Sequence, residues 1–457
     1  MKKILSAAAI IFVSSNLSAA DLSLQDALRA ALENHPKIMQ AKQNYEKASY
    51  QASAAKAAYL PRVDITALAV KINEPITLDL NNIRSAIIKA SAASYAASGG
   101  ANPSAFTAGL ESQTPFFEKK IVDDAIARAV ATFAQPIFTG FKISANAAVK
   151  KLEKEAARIL LQNAKNSVSA EVIEDYYRTK LAYQIVKIRN DLQNNIENHA
   201  VNAKKLFSSG IISKANLLRY EVALAEAKKD YQKSVMDAEL AAALLLNSVG
   251  NDAENKELSS PMEILRELDD KAVYEKKAEN NCALKLLEAK KEMLEQKRKA
   301  AWGNLLPAAA VAGQYQILQN NLTIAEPEWA LGITVSMNVF GGGKDYNEIK
   351  ASYAEISAVN AEISAAKKFI NTAVKNFYNR CLNAKRECEA LDSARELALE
   401  NLKLYCASFK EGLATSLEVV DAELALAKIK ADREKAVFEY NSSYANLLSL
   451  CDMQMEE

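Results

Sequence analysis

The sequence predicts a mainly α-helical protein built from two copies of a helix–strand–strand–helix unit, with strands of the length that crosses a membrane. Three observations lead to this prediction. The chain matches itself after a shift, long stretches without Gly or Pro favour helices, and short stretches alternate between apolar and polar side chains. Only 13 Gly and 9 Pro occur in 457 residues, so each one is an informative sign of where an element ends.

The first twenty residues have the order of a secretory signal. Lys2 and Lys3 precede an apolar stretch, and Ser18-Ala19-Ala20 supplies the small side chains of a cleavage site. We therefore expect residues 1–20 to be removed and the mature chain to begin near Asp21. Beyond the signal the sequence has no apolar run long enough for a membrane-spanning helix, which needs about 20 residues.

Charge and composition argue against several functional classes. Lys and Arg number 57 against 56 Asp and Glu, so a nucleic-acid partner is not predicted. His35 and His199 are far apart, and the sequence has no phosphate loop, zinc spacing or nucleophile motif. We expect no enzyme activity, no cofactor and no metal site. Whether any cysteines pair stays open; they are Cys282, Cys381, Cys388, Cys406 and Cys451.

A long internal repeat organises the chain. A shift of 202 places superimposes Gly140 on Gly342 and Gly210 on Gly412 without a gap. Upstream the shift becomes 246, as Leu306-Pro307 follows Leu60-Pro61, so the first half carries 44 extra residues. These lie at about 74–122, where Ser, Ala, Asn, Gly and Pro cluster, and we predict a loop there with room for a short helix.

The repeat divides the chain into a signal at 1–20, a first repeat at 21–250, a linker at 251–272, a second repeat at 273–450 and a tail at 451–457. In the first repeat we expect strands at about 61–72 and 126–138 and long helices at about 141–208 and 214–248. In the second we expect strands at about 307–319 and 329–340 and long helices at about 343–410 and 415–450.

The predicted strands differ in the strength of their pattern. Every odd position from Trp329 to Val339 is apolar, and these eleven residues match the 9 to 11 or so of a tilted transmembrane strand. The segment at 307–319 repeats the alternation, and the segment at 61–72 does so more weakly. The segment at 126–138 is weakest, and an amphipathic helix before Pro136 is its alternative.

Between the strands, the helices are predicted to be long and to pack as coiled coils. Gly140 and Gly210 enclose a stretch without Gly or Pro that would span on the order of 100 Å as a helix. Past Gly210, apolar residues recur at spacings of three and four, as a coiled-coil seam requires. The seam consists of Leu217, Tyr220, Leu224, Ala227 and Tyr231.

Four membrane strands per chain leave edges that a bilayer does not tolerate, so other chains must complete the sheet. Closure by three chains would give twelve strands, although the number of chains does not follow from the sequence.

With this order of elements, the chain resembles the TolC-like outer membrane efflux protein family, also called outer membrane factors. The resemblance covers residues 22 to 450 and includes the aromatic-Gly junctions at 135–140 and 338–342. It implies a homotrimer whose twelve-strand outer-membrane β-barrel continues as a long periplasmic α-helical barrel. It also implies contact with outer-membrane lipid, a periplasmic adaptor (membrane fusion protein) and an inner-membrane pump of RND or ABC type.

Two turns match the periplasmic tip of that family, where the family meets its adaptor. The physical pattern agrees, since Gly suits the left-handed end of a helix and a following Ser or Thr caps the next one. The alternative is that they are only helix turns. The candidate adaptor contacts are Gly210, Ile211, Ile212, Gly412, Leu413 and Ala414.

Just past the second turn, Glu418 and Asp421 lie three residues apart on one helix face. Acidic residues at the matching positions of the family line its constricted entrance, and acidic rings favour cations. The equally weighted alternative is that Thr415 and Glu418 form a capping box. Where the family has a basic residue, this sequence has Ala414. The sequence therefore does not support closure of the entrance by a salt bridge or side-chain hydrogen bond from that position.

The matching positions of the first repeat are Asn216 and Arg219. Arg219 can pair with an acid on a neighbouring helix, or it can be a solvated surface residue. As a whole, the sequence predicts an outer-membrane exit channel for efflux or type I secretion. The competing function is a periplasmic coiled-coil adaptor or structural protein, which would explain the helices but not the alternating strands.

Overall fold

A computed structural model describes residues 21–250, 257–320 and 327–453. The predicted signal at 1–20 lies outside these ranges, as do residues 251–256 of the linker and 454–457 of the tail. The chain divides into two compact units. The sheet unit comprises Ser53–Val149 and Glu295–Tyr353, and the helical unit comprises the remaining described residues. No helix among the described residues has the length and apolarity needed to cross a membrane.

Ten α-helices and six strands are present in the described ranges. The helices are α1 (Leu24–Asn34), α2 (Pro36–Ala57), α3 (Asn81–Ala97), α4 (Pro103–Gln113), α5 (Lys142–Ser208), α6 (Lys214–Val249), α7 (Lys271–Ala278), α8 (Cys282–Trp302), α9 (Lys344–Lys410) and α10 (Ser416–Leu450). The strands are β1 (Arg62–Lys71), β2 (Ile76–Asp79), β3 (Glu118–Val122), β4 (Ala125–Phe138), β5 (Ala308–Asn320) and β6 (Trp329–Ser336).

The internal repeat of the sequence corresponds in the structure to two equally long helices, α5 and α9. Each has 67 residues, and their first and last residues differ by the same 202 positions that align the sequence. At ~1.5 Å per residue each would run on the order of 100 Å. The glycines that flank them have positive φ, at +60° for Gly140, +63° for Gly342 and +73° for both Gly210 and Gly412. A residue with a Cβ is strained in this region, so glycine suits all four positions.

Buried tyrosines anchor the helical unit. Tyr176 on α5 donates a hydrogen bond to the carbonyl of Leu22 at 2.9 Å and accepts one from the amide of Ser260 at 3.1 Å. Tyr440 on α10 donates to the carbonyl of Arg266 at 2.6 Å. The described part of the expected linker is therefore held against the helices by hydrogen bonds. The expected coiled-coil seam of α6 is also packed, with Leu217, Tyr220 and Ala227 buried.

Four antiparallel strands form the main sheet, in the order β1, β4, β5, β6. Residues 125–138 are a strand, so the alternative of an amphipathic helix is wrong. Pro136 lies where the register of β4 shifts, which suits a residue without an amide hydrogen. β6 ends at Ser336 and not near 340, because Ser336 pairs with Ala308, the first residue of β5, and later residues have no partner in that strand.

The 44-residue insertion is more ordered than the expected loop. It contains the helices α3 and α4 and the antiparallel pair β2 and β3. Asn102 caps α4 by accepting a hydrogen bond from the amide of Ala105 at 3.2 Å, and Tyr95 stacks on Phe106 with ring centroids 4.1 Å apart. The Ser and Ala residues that suggested a loop fill helix α3, because Ala is the strongest helix former.

Gly140 and Gly303 approach each other so closely in the sheet unit that neither position has room for a side chain. A Cβ on either residue would collide with the carbonyl oxygen of the other, and both obstacles are backbone atoms. We predict that Gly140→Ala and Gly303→Ala each lower the free energy of unfolding by about 3 kcal/mol or more. Gly109→Ala is the matched control, because its Cβ would meet nothing within 4 Å.

Thermal melting in detergent would check this prediction. Helix propensity favours Ala over Gly, so the control should melt at the same temperature or higher. A Gly140→Ala protein that melts with the unaltered protein would show that the backbone adjusts at this crossing without cost.

Candidate functional site

Two turns of the same geometry join α5 to α6 and α9 to α10. In the first, the amide of Ile211 donates to the carbonyl of Leu206 at 2.9 Å, and in the second the amide of Leu413 donates to Ser408 at 2.8 Å. These bonds close the Schellman-type helix end that a left-handed glycine permits. Ile211 and Leu413 are exposed, at 68% and 84% of their surface. Both turns therefore present an apolar side chain to their surroundings.

The remaining candidate turn residues are less open. Ile212 is half-buried and packs against a cluster that includes Ala203 and Leu217. Ala414 is also half-buried. The six candidate adaptor contacts thus divide into exposed tips and inward-facing supports, and their role as contacts stays a prediction.

The carboxylate of Glu418 is engaged in a capping box at the start of α10. Its Oε2 accepts hydrogen bonds from the amide of Thr415 at 2.7 Å and from the hydroxyl of Thr415 at 2.8 Å. The Thr415 hydroxyl in turn accepts a bond from the amide of Glu418 at 3.4 Å. The Thr415 amide, and then its hydroxyl, hold the pKa of Glu418 below its usual range. The capping alternative is therefore present in the structure, whatever else Glu418 does.

Asp421 and Arg219 line one groove between α6 and α10, which has a volume of about 510 Å³. Its other walls are largely apolar and include Leu218, Val222 and Leu424. The structure thus brings Arg219 and Asp421 together from different halves of the repeat. Glu418 and Asn216 are not among the lining residues. The acidic pair that the sequence placed on one helix face is divided between a helix cap and a groove.

A third acidic residue nearby was not singled out from the sequence. Glu423 on α10 is only 7% exposed, and both its carboxylate oxygens accept hydrogen bonds from the side-chain amide of Asn195 on α5, at 3.1 and 3.2 Å. The Nε2 atom of His199 lies 3.7 Å from Glu423 Oε1. The helical periodicity could have indicated that Glu423 faces the core, because it follows Val419 by four residues and precedes Leu426 by three, and both of these residues are buried.

The surroundings of Glu423 have two opposing effects on its pKa. Burial raises the pKa, whereas contacts with His199 and Asn195 and the positive charges of His199 and Lys430 lower it. The lowering effects prevail, so the pKa lies below the ordinary value of a glutamate and the buried side chain is ionised.

No group of three or more His, Cys, Asp or Glu in the described part of the chain could hold a metal ion. All five cysteines are free, and every one except Cys406 is buried. Burial raises the pKa of Cys381 and of Cys451 to about 12 each, so these thiols are protonated and unreactive.

The capping box generates a testable prediction. Thr415→Ala removes the hydroxyl that donates to the Glu418 carboxylate and accepts from the Glu418 amide, and keeps only the bond from the amide of residue 415, so the first turn of α10 should fray. We expect amide hydrogen exchange at 416–419 to become about fivefold faster, the effect of losing one N-cap. Ser213→Ala, which removes the simpler cap of α6, is the matched control and should affect only 214–217. Unchanged exchange in the Thr415 variant would contradict the assigned cap.

Comparison with known proteins identifies a matching family and several structures with the same fold. The family model described as outer membrane efflux protein matches residues 27–251. No curated protein matches the sequence. Among solved structures, a membrane protein from Pseudomonas aeruginosa superimposes with a TM-score of 0.76 at 14% identity, covering 94% of this chain and 92% of that one.

Two further structures share the fold. The outer membrane protein VceC from Vibrio cholerae has a TM-score of 0.73 at 14% identity, with 95% and 97% of the two chains covered. The MtrE outer membrane channel of Neisseria gonorrhoeae, in its open state, has a TM-score of 0.71 at 13% identity, with 94% and 89% covered.

These matches confirm the expected fold class and the location in the outer membrane with a periplasmic helical extension. They also confirm the expected absence of enzyme activity, because the family consists of transport channels. The competing function of a periplasmic adaptor accounts for neither the family match nor the four-stranded sheet. With its duplicated helices, its sheet and its match over residues 27–251, the chain belongs to the outer membrane efflux protein family.

Proposed function

We propose that this protein works as a homotrimeric exit duct of a tripartite efflux system. In this system it receives small molecules from an inner-membrane pump, through a periplasmic adaptor, and releases them across the outer membrane. The observation that carries the proposal is the four-stranded sheet, which has one open edge at β1 and another at β6.

Open edges exclude a single chain as the membrane-spanning unit. Each edge strand presents unpaired amides and carbonyls, and each unsatisfied group costs several kcal/mol in hydrocarbon. Pairing β1 of one copy with β6 of the next removes both edges when the ring closes. Three copies give twelve strands, within the range of closed membrane barrels.

The outward surface of the sheet suits contact with lipid. Ile65 on β1 and Ile333 on β6 are 69% and 70% exposed, and Trp329, Leu331 and Val335 are similarly open. On β6 these apolar residues alternate with Ala330, Gly332, Thr334 and Ser336. One lipid-facing and one lumen-facing side is the pattern of an outer-membrane strand.

In the helical unit, the groove with Asp421 and Arg219 is our candidate for the entrance. Three copies would place three Asp421 carboxylates around a common axis, where they would favour cations and oppose anions. Arg219 in the same groove can hold Asp421 in place or offset its charge. The exposed side chains of Ile211 and Leu413, at the neighbouring turns, are suited to an apolar contact with the adaptor.

Oligomeric state provides one test. The mature protein, purified in detergent, should have the mass of three chains by native mass spectrometry and should lose its solubility when the detergent is removed. A monomer that stays soluble without detergent would overturn the proposed duct.

Conductance provides a second test. In planar bilayers the unaltered protein should show a small, cation-selective conductance. Asp421→Asn should raise the conductance or reduce the cation preference by about twofold or more, because it removes charge from the constriction. Arg219→Gln should shift the preference towards cations for the opposite reason.

Two controls sharpen this measurement. Asp237→Asn makes the same charge change at an exposed position of α6 and should have no effect. Glu418→Gln should change conductance less than Asp421→Asn, because Glu418 caps α10. If Asp421→Asn behaves like Asp237→Asn, the groove is not the entrance.

Copurification identifies the pump. Cross-linking in cells should recover an adaptor together with a pump that transports small molecules. Recovery of an ABC-type pump with a secreted protein as cargo would replace small-molecule efflux by type I secretion.

A further inference from the structure

A buried polar cluster joins α5 to α10 near the two turns. We call Asn195, His199 and Glu423 the polar cluster. Asn195 donates to both carboxylate oxygens of Glu423, and His199 Nε2 lies 3.7 Å from Glu423 Oε1. The side chains of His199 and Glu423 are 21% and 9% exposed. These contacts connect helices from different halves of the repeat, so separating the helices would disrupt all three.

Neighbouring helices supply the remaining groups around the cluster. The ring of Tyr220 on α6 stacks against His199, with centroids 6.4 Å apart and an angle of 22°. Burial raises the pKa of Tyr220, so its hydroxyl is neutral at physiological pH. Cys406 on α9 is also neutral, because burial and then the charge of Glu423 raise the pKa of its thiol. Lys430 on α10 adds a positive charge. Among these groups, histidine is the residue type whose ordinary titration falls between about pH 5 and 8.

We propose that the polar cluster is a protonation-dependent latch, which holds α10 against α5 and favours a closed entrance at mildly acidic pH. The inference rests on the proposed function, because it assumes that the turn following α5 and the turn preceding α10 border the channel entrance. It adds a regulatory device that the fold alone does not require.

The direction of the effect follows from the charges. When His199 is protonated, a positive and a negative charge attract each other at 3.7 Å in a site largely shielded from water. When His199 is neutral, the buried Glu423 carboxylate keeps the hydrogen bonds of Asn195 but loses that attraction. Separation of α5 and α10 then becomes easier, because water can solvate the carboxylate.

Glu423 limits the latch at the acidic end. Its pKa is lowered, so its contribution to stability is present above the ordinary glutamate value and is lost only as the pH falls through the lowered value. The charge pair is therefore absent when His199 is neutral, and it is also lost when the pH falls through the lowered pKa of Glu423. Mild acid strengthens the latch and strong acid removes it.

Two other contacts provide matched controls in the same chain. Lys228 and Glu197 form an ion pair between α6 and α5 at 3.3 Å, but both side chains are almost half exposed and the pair contains no histidine. His35 is the second of only two histidines. Burial lowers its pKa, and its Nδ1 accepts a hydrogen bond from the amide of Lys37 at 3.2 Å. Asn can replace that acceptor.

The experiment measures channel opening against pH. Single-channel recordings in planar bilayers, from pH 8 to pH 6, should show the open probability of the unaltered protein falling by roughly threefold to tenfold. His199→Gln and Glu423→Gln should each abolish most of this dependence. Glu197→Gln and His35→Asn should retain it.

Exchange of the two charged groups tests the latch without relying on loss of function. The double variant with His199→Glu and Glu423→His places the same pair in reverse and should recover part of the pH dependence. The melting temperature of each variant at pH 6 and pH 8 checks that it folds. The unaltered protein should gain more stability at pH 6, relative to His199→Gln, than it does at pH 8.

The possible failures are distinguishable. A protein that conducts, but whose pH dependence survives both His199→Gln and Glu423→Gln, overturns the latch and leaves the channel intact. A dependence that disappears in His35→Asn instead moves the effect to the other histidine and also overturns the latch. Absence of conductance in the unaltered protein at every pH contradicts the proposed function itself.

Discussion

The need to pair every backbone amide and carbonyl within a membrane governs this structure. Four strands in the order β1, β4, β5, β6 satisfy one another internally but leave a free edge on each side. A bilayer does not permit such edges, and the ring of three copies that we propose would pair them. The exposed apolar side chains of β1 and β6 are consistent with this ring, because a single soluble chain would gain by burying them.

Duplication gives the helices matching lengths and matching ends. The pairs α5 with α9 and α6 with α10 begin at positions 202 apart, and each pair is joined through a left-handed glycine, Gly210 or Gly412. Both turns close with the same hydrogen-bond pattern. Helices of equal length can pack side by side along their full extent, as a coiled-coil wall requires. The repeat is therefore visible both in the sequence and in the matched geometry of the helices.

The two halves differ where the candidate function lies. Thr415 and Glu418 form a reciprocal capping box, whereas Ser213 caps α6 without an acidic partner. Glu423 is buried against α5, whereas its counterpart Glu221 is exposed. Likewise, the positions on α9 that correspond to Asn195 and His199 are Leu397 and Asn401. The polar cluster thus occurs in only one of the two possible places, and equivalent backbones carry different chemistry.

By itself, the sequence determined the duplication, the lengths of the long helices, the approximate positions of the four strands of the main sheet and the family resemblance. These features depend on local rules, namely the periodicity of apolar residues and the conformations open to Gly and Pro. The sequence also identified Glu418, Asp421 and Arg219, because spacing along a helix and the repeat shift are visible in one dimension. It missed the order within the insertion, where Ser and Ala residues suit both a loop and the helix α3.

Only the tertiary structure decided which of these residues meet. It brought Asp421 into one groove with Arg219, and it buried Glu423 against Asn195 and His199. Asn195 and Glu423 are 228 positions apart. No periodicity within one helix specifies which face of a distant helix it will contact. That pairing is settled by packing across the two halves, because a buried carboxylate is stable only where the fold supplies its donors.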